Sequence, residues 1–185
     1  AKWCGTTLTI TAIVTTVFHV LQMLCLPHLR NLDVSVSLPI GSVTFLSTLA
    51  NVPENAWDES ADKNGSIRSW VVPKGELYDL YLAADGEIEA PESCKGMFSG
   101  FRNMSRIHFG NCLRTSMVKN MSHMFSGCSS LKKLDLSSFD TAKVQDMRYM
   151  FKGCKSLTTL TRTQLFTTAN AKTVGMLDGC PAGKK

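Results

Sequence analysis

Between Val118 and Phe151 the apolar residues alternate between two spacings. Leu131, Leu134, Leu136 and Phe139 follow the order L-x-x-L-x-L-x-x-F, which predicts a short strand with one buried face. Val144, Met147, Met150 and Phe151 then recur at steps of 3, 3 and 1, which predicts one face of a short helix. Val118, Met121, Met124 and Phe125 repeat that spacing one unit earlier. Gly127, Gly153 and Gly179 follow, where a residue free to take positive φ stops a helix. Each unit therefore reads as a strand, a turn at Asp140-Thr141 or its equivalent, a helical turn and a glycine stop.

The unit is periodic. Met124-Phe125-Ser126-Gly127-Cys128 returns as Met150-Phe151-Lys152-Gly153-Cys154 and, after an identical step, as Met176-Leu177-Asp178-Gly179-Cys180. An earlier copy, Met97-Phe98-Ser99-Gly100-Phe101, lies upstream by that step and one residue more. Met104, Ile107 and Phe109 repeat three strand positions, and Leu157 and Leu160 repeat two. No single unit can bury both its faces, so neighbours must stack. The expected fold is α/β: a leucine-rich-repeat-like solenoid over 97–185, with a strand, a turn and a short helix per coil. Its core is Met124, Phe125, Cys128, Leu131, Leu134, Leu136, Phe139, Val144, Met147, Met150, Phe151, Cys154, Leu157 and Leu160.

Ahead of the repeats, 41–96 reads as a β-rich capping segment. Gly41 to Leu49 predicts a strand, and Ile67 to Val72, Leu77 to Leu82 and Ile88 to Ala90 predict a three-stranded meander turned at Pro73-Lys74-Gly75 and Asp85-Gly86. Alternation sets Tyr78, Leu80 and Leu82 against Asp79 and Tyr81. For Trp57 and Trp70, core or capping packing is preferred over a ligand platform because each ring buries a large apolar area. Residues 1–40 hold a run without charge, from Thr6 to Leu26, that is long enough to span a bilayer. It reads as a membrane anchor or uncleaved signal, against which six threonines, His19 and Gln22 favour a buried soluble segment. A start at Ala1 and an end at Cys180 to Lys185, inside the recurring motif, read as a fragment truncated at the C-terminus.

At 44% apolar and 19% charged, 185 residues build an ordinary core. The net charge of +5 is unevenly spread: residues 1–90 hold 5 Lys/Arg against 10 Asp/Glu, and residues 91–185 hold 15 against 5. A basic second half attracts anionic partners, although solvated lysines keeping repeats soluble is the plainer account. Cys128, Cys154 and Cys180 share one repeat position, which predicts a ladder of small buried hydrophobes in place of disulfides or a metal site. The four histidines fall into no Ser-His-Asp or Cys-His arrangement, and no phosphate loop or zinc spacing occurs. No catalytic residue, cofactor or metal is expected.

The stretch Met124 to Phe151, MFSGCSSLKKLDLSSFDTAKVQDMRYMF, resembles the BspA-like leucine-rich-repeat surface proteins of bacteria along its whole length. Trp57-Asp58, Ser69-Trp70-Val71 and Leu77 to Leu82 look like the non-repeat segment that often precedes such arrays; the third copy departs at Arg162 and through Thr167 to Thr173. The resemblance implies a secreted or cell-surface protein that adheres to a protein or glycan of a host or neighbouring cell. The candidate ligand face comprises Ser105, Arg106 and His108, then Lys132, Lys133 and Asp135, then Thr158, Thr159 and Thr161, which strand alternation points away from the leucine core. The alternative is a structural spacer presenting another domain of a longer surface protein. Nucleic acid is disfavoured as a partner, because the exposed positions lack interleaved aromatics.

Overall fold

The computed structural model describes residues 39–60 and 64–183; the run 6–26, with the expected anchor, lies outside them. Nine strands occur among the described residues: β1 (Ile40–Leu46), β2 (Trp57–Asp58), β3 (Ile67–Lys74), β4 (Leu77–Ala84), β5 (Ile88–Glu89), β6 (Arg106–His108), β7 (Leu113–Arg114), β8 (Lys133–Asp135) and β9 (Thr159–Thr161). Five form a mixed sheet in the order β2-β3-β4-β1-β6, and β5-β7 and β8-β9 are separate parallel pairs.

The β3–β4 hairpin forms because Pro73-Lys74-Gly75 closes it, Gly75 taking φ 65°, and because alternation on both strands agrees. Ile67, Ser69 and Val71 pair with Ala84, Leu82 and Leu80 on the core side. Trp70 and Val72 lie opposite Tyr81 and Asp79 on the other side. The expected meander stops there. Ile88 and Glu89 pair with Leu113 and Arg114 instead of returning along β4, and the parallel neighbour of β4 is β1, which pairs with β6 on its other edge. Gly86 takes φ 95° after Asp85, but the turn sends the chain away from the sheet.

The strand, turn and helix solenoid is not the fold of this chain. There is no α-helix among the described residues, only a 3-10 turn at Pro181–Gly183, and the sheets are small and mixed. Where helices were expected, the chain makes successive tight turns. Met121, His123, Phe125 and Gly127 donate their N–H groups sideways to the carbonyls of Asp146, Arg148, Met150 and Lys152, at 2.7–3.0 Å. Met147, Tyr149, Phe151 and Gly153 donate likewise to Lys172, Val174, Met176 and Asp178. Only alternate amides, such as those of Met124, Ser126 and Cys128, bond within their own copy, each to the carbonyl three residues back. An α-helix would claim all of these amides for its own carbonyls four residues back.

Backbone handedness excludes the helix as well. Gly96, His123, Tyr149 and Gly175 occupy one repeat position with φ of 66°, 57°, 59° and 62°, and Gly100, Gly127, Gly153 and Gly179, four residues later, have φ of 80°, 77°, 71° and 66°. Left-handed residues every four positions are incompatible with a right-handed helix. The sequence carried this signal in Gly96 and Gly175, but His and Tyr at the same position in the two clearest copies concealed it.

Copies nonetheless lie side by side in register. Phe98, Phe125 and Phe151 stack with centroids 5.4 and 5.7 Å apart and interplanar angles of 14° and 6°. Met121, Met124, Leu131, Leu134, Leu136, Phe139, Val144, Met147, Met150 and Leu157 are buried around them, and Leu160 is half-buried. Leu131 and Leu157 precede the paired strands, which begin at Lys133 and Thr159. Cys128 and Cys154 donate their thiols to the carbonyls of Phe98 and Phe125, both at 3.1 Å, and Cys94, Cys112, Cys128, Cys154 and Cys180 are all free and buried. Buried Thr115 and Thr141 tie the copies at a second level: the Thr115 hydroxyl donates to the Asp140 carbonyl and that of Thr141 to the Thr167 carbonyl.

Candidate binding face

The pairing register carries two rows of side chains across the outer face of the sheet. Trp70, Tyr81, Thr44 and His108 form one row from β3 through β4 and β1 to β6; Val72, Asp79, Ser42 and Arg106 form the next. Beyond β6, Lys133 and Asp135 on β8 pair with Thr159 and Thr161 on β9. Asp135 lies close enough to His108 to feel its charge. Neighbouring strands sit about 4.8 Å apart, so these rows cover a broad face.

Of the residues expected on the ligand face, Arg106, His108, Lys133, Asp135, Thr159 and Thr161 are exposed there. Ser105 donates its amide and hydroxyl to the Gly41 carbonyl, so it ties β6 to β1. Lys132 and Thr158 are exposed but lie outside the strands, and the Thr158 amide donates to the Lys132 carbonyl at 3.0 Å. Strand alternation therefore cannot direct Lys132 and Lys133 alike; they share an edge of the face by different geometry.

Sequence reasoning prefers core or capping packing for Trp70 and so passes over the first half of the face. Trp70 stacks on Tyr81, with centroids 5.2 Å apart and planes 10° apart, while Trp57 packs against the core. Next to Tyr81 run the short side chains Ser42 and Thr44, so β1 floors a furrow between Asp79 and Tyr81 on one side and Arg106 and His108 on the other. The Ser42 hydroxyl donates to the Asp79 carboxylate at 2.5 Å, and Lys74 sits 3.8 Å from the same carboxylate. Alternation had already placed Asp79 and Tyr81 together. What no local pattern revealed was the parallel insertion of β1 between β4 and β6.

Electrostatically the face is mixed. The Asp135 carboxyl is held below its ordinary range, chiefly by the Ser137 hydroxyl and also by the Ser137 amide and nearby His108. Among the described residues no carboxylate pairs with Arg106, Lys132 or Lys133, which leaves these cations to solvent or to a partner. A cavity of about 460 Å³ opens where β1 and β6, which run parallel, end; Leu46, Ser47, Glu87, His108, Asn111 and Cys112 line it. Its thiol is engaged, since Cys112 donates to the Phe45 carbonyl at 3.7 Å. Among the described residues no group of three or more His, Cys, Asp or Glu is arranged to hold a metal ion, and no helix is long and apolar enough to cross a membrane.

Residues 92–182, just under half of the chain, match a protein family described as Mycoplasma protein of unknown function, DUF285. No curated protein and no solved structure matches the chain.

Proposed function

We propose that this chain is a non-enzymatic recognition scaffold of the bacterial cell surface, of the BspA-like kind, and that its sheet face binds a protein or glycan of a host or neighbouring cell. The observation that carries this reading is the pair of side-chain rows running from Trp70 and Val72 to Arg106 and His108, beyond which the separate β8–β9 pair exposes Lys133, Asp135, Thr159 and Thr161. Together they combine a stacked aromatic pair, hydroxyls and cations that have no ion-pair partner among the described residues, the mixture that anchors recognition sites: rings supply contact area and Arg and Lys supply orientation. The likeness of Met124 to Phe151 to surface-protein repeats supports the location.

Binding to extracellular-matrix proteins and to a glycan array tests the reading. Replacing Trp70 by Ala, or Lys132 and Lys133 together by Glu, should weaken binding at least tenfold while the circular dichroism spectrum stays unchanged. Retention of full affinity by both variants would refute the face as the binding site.

A further inference from the structure

The outer face continues past the end of its sheet. His108 closes the row of Trp70, Tyr81 and Thr44, and it also lines the cavity of about 460 Å³ where β1 and β6 end, so furrow and cavity meet at one side chain. The cavity's volume falls within the roughly 300–1,000 Å³ of small-molecule sites. Phe45 and Leu46 give it an apolar wall, and Ser47, Glu87, His108 and Asn111 give it a polar one.

Those polar groups are open to a ligand. The nearby hydroxyls of Ser42 and Ser105 are engaged, the first with Asp79 and the second with the Gly41 carbonyl. Among the described residues no protein group hydrogen-bonds the side chains of Thr44, Ser47, His108 or Asn111. Together they offer donors and acceptors, the asparagine amide supplying both. Glu87 adds a carboxylate, an acceptor only, which is paired with Arg114.

Backbone pairing decides what can lie along the furrow. β1 is bonded on both edges, by β4 and β6, and β4 by β3 and β1, so the floor has no free edge to which a peptide could add as a strand. Ser42 and Thr44 make that floor too polar to receive the apolar face of a helix. A sugar fits both parts: its C–H faces rest on apolar walls and aromatic rings, and its hydroxyls exchange hydrogen bonds with Thr44, Ser47, His108 and Asn111. The Glu87 carboxylate disfavours a sugar that carries its own carboxylate, because like charges in one site repel, and Arg106 lies outside the cavity.

We propose that the cavity takes a neutral sugar ring of a glycan whose chain lies along the furrow toward Trp70 and Tyr81. At roughly 4.8 Å per strand, the span from β6 to β3 is about 14 Å, room for more than one sugar unit. The outer face must be the binding face for this to hold, and the cavity then sets the chemical class it selects.

Binding of the full 185-residue chain to immobilised oligosaccharides ending in galactose or N-acetylgalactosamine, each with and without a sialic acid cap, tests this. The uncapped probes should bind, and the cap should weaken binding by roughly tenfold or more. Asn111→Trp, which fills the cavity from an exposed position, should weaken binding of the uncapped probes by a similar factor with an unchanged circular dichroism spectrum. Glu87→Gln should narrow the discrimination against the capped probes. Full binding by Asn111→Trp alongside loss in Trp70→Ala would overturn the cavity and leave the face standing. Extracellular-matrix proteins bound through Trp70 with no oligosaccharide bound would do the same, the ligand then being a protein. Capped probes bound as well as uncapped ones, or discrimination unaltered by Glu87→Gln, would overturn the neutral sugar. Binding to neither class of probe would remove face and cavity together.

Discussion

The buried thiols are the residues whose ionisation the fold resists most. Burial pushes Cys94 and Cys154 up to about 12 from an ordinary 9.0, Cys154 also feeling its neighbour Cys180, and it raises Cys128 too. A thiol whose folded pKa is raised contributes stability that is complete below its unfolded value and is lost as pH rises through the folded one. Stability should therefore decline between about pH 9 and about pH 12. Thermal melts at pH 8, 9.5 and 11 should show a steeper fall for the native chain than for Cys154→Ala. Equal slopes would remove that thiol as a cause.

At the scale of elements, the turn-built copies are joined by an aromatic stack as well as by strands of three residues. Phe125, fully buried between Phe98 and Phe151, should cost about 3–5 kcal/mol when replaced by Ala, because the cavity it leaves is walled by rings on both sides. Lys132→Ala, at an exposed position, should change stability by less than about 0.5 kcal/mol. Urea titration with unchanged m-value separates the two outcomes. The inward set around Phe125 was legible in the sequence because a fixed period repeats every apolar position together. The conformation carrying that set was not, because steps of 3, 3 and 1 fit a helix and a run of tight turns equally, and His123 and Tyr149 hide the left-handed backbone that distinguishes them. Half of the candidate face was legible for the same reason: Arg106, His108, Lys133 and Asp135 lie on the repeat register, while Trp70 and Tyr81 join them only through the non-local insertion of β1.

At the scale of the whole molecule, contacts among the described residues differ widely in chain separation. Bonds between copies close about the same short loop each time, as from Phe125 to Met150, whereas the Ser105 hydroxyl reaches Gly41 across 64 residues. Loop-closure entropy favours the shorter loops, though each doubling costs only about 0.6 kcal/mol. The repeats should therefore form first and β1 should dock late. Stopped-flow kinetics should show Phe125→Ala slowing refolding and Val43→Ala, in the centre of β1, mainly accelerating unfolding. The reverse pattern would place β1 in the folding nucleus.

The constancy of the repeat step also governs which changes of length the chain tolerates. Excising one whole period from the middle of the array would bring the Met97 to Phe101 copy against the Met150 to Cys154 copy with every donor, ring and left-handed position still matched. Excising one residue more or fewer would slide the copies out of phase, setting amides against amides and turning buried methionines toward water. The first step, from Met97 to Met124, is one residue longer than the others. It spans β6, β7 and the intervening Gly110, whose φ of 54° takes up the extra residue in a turn outside the ladder. Copy number is thus a quantity that recombination can change by whole units, lengthening or shortening the binding face without redesigning any part of it.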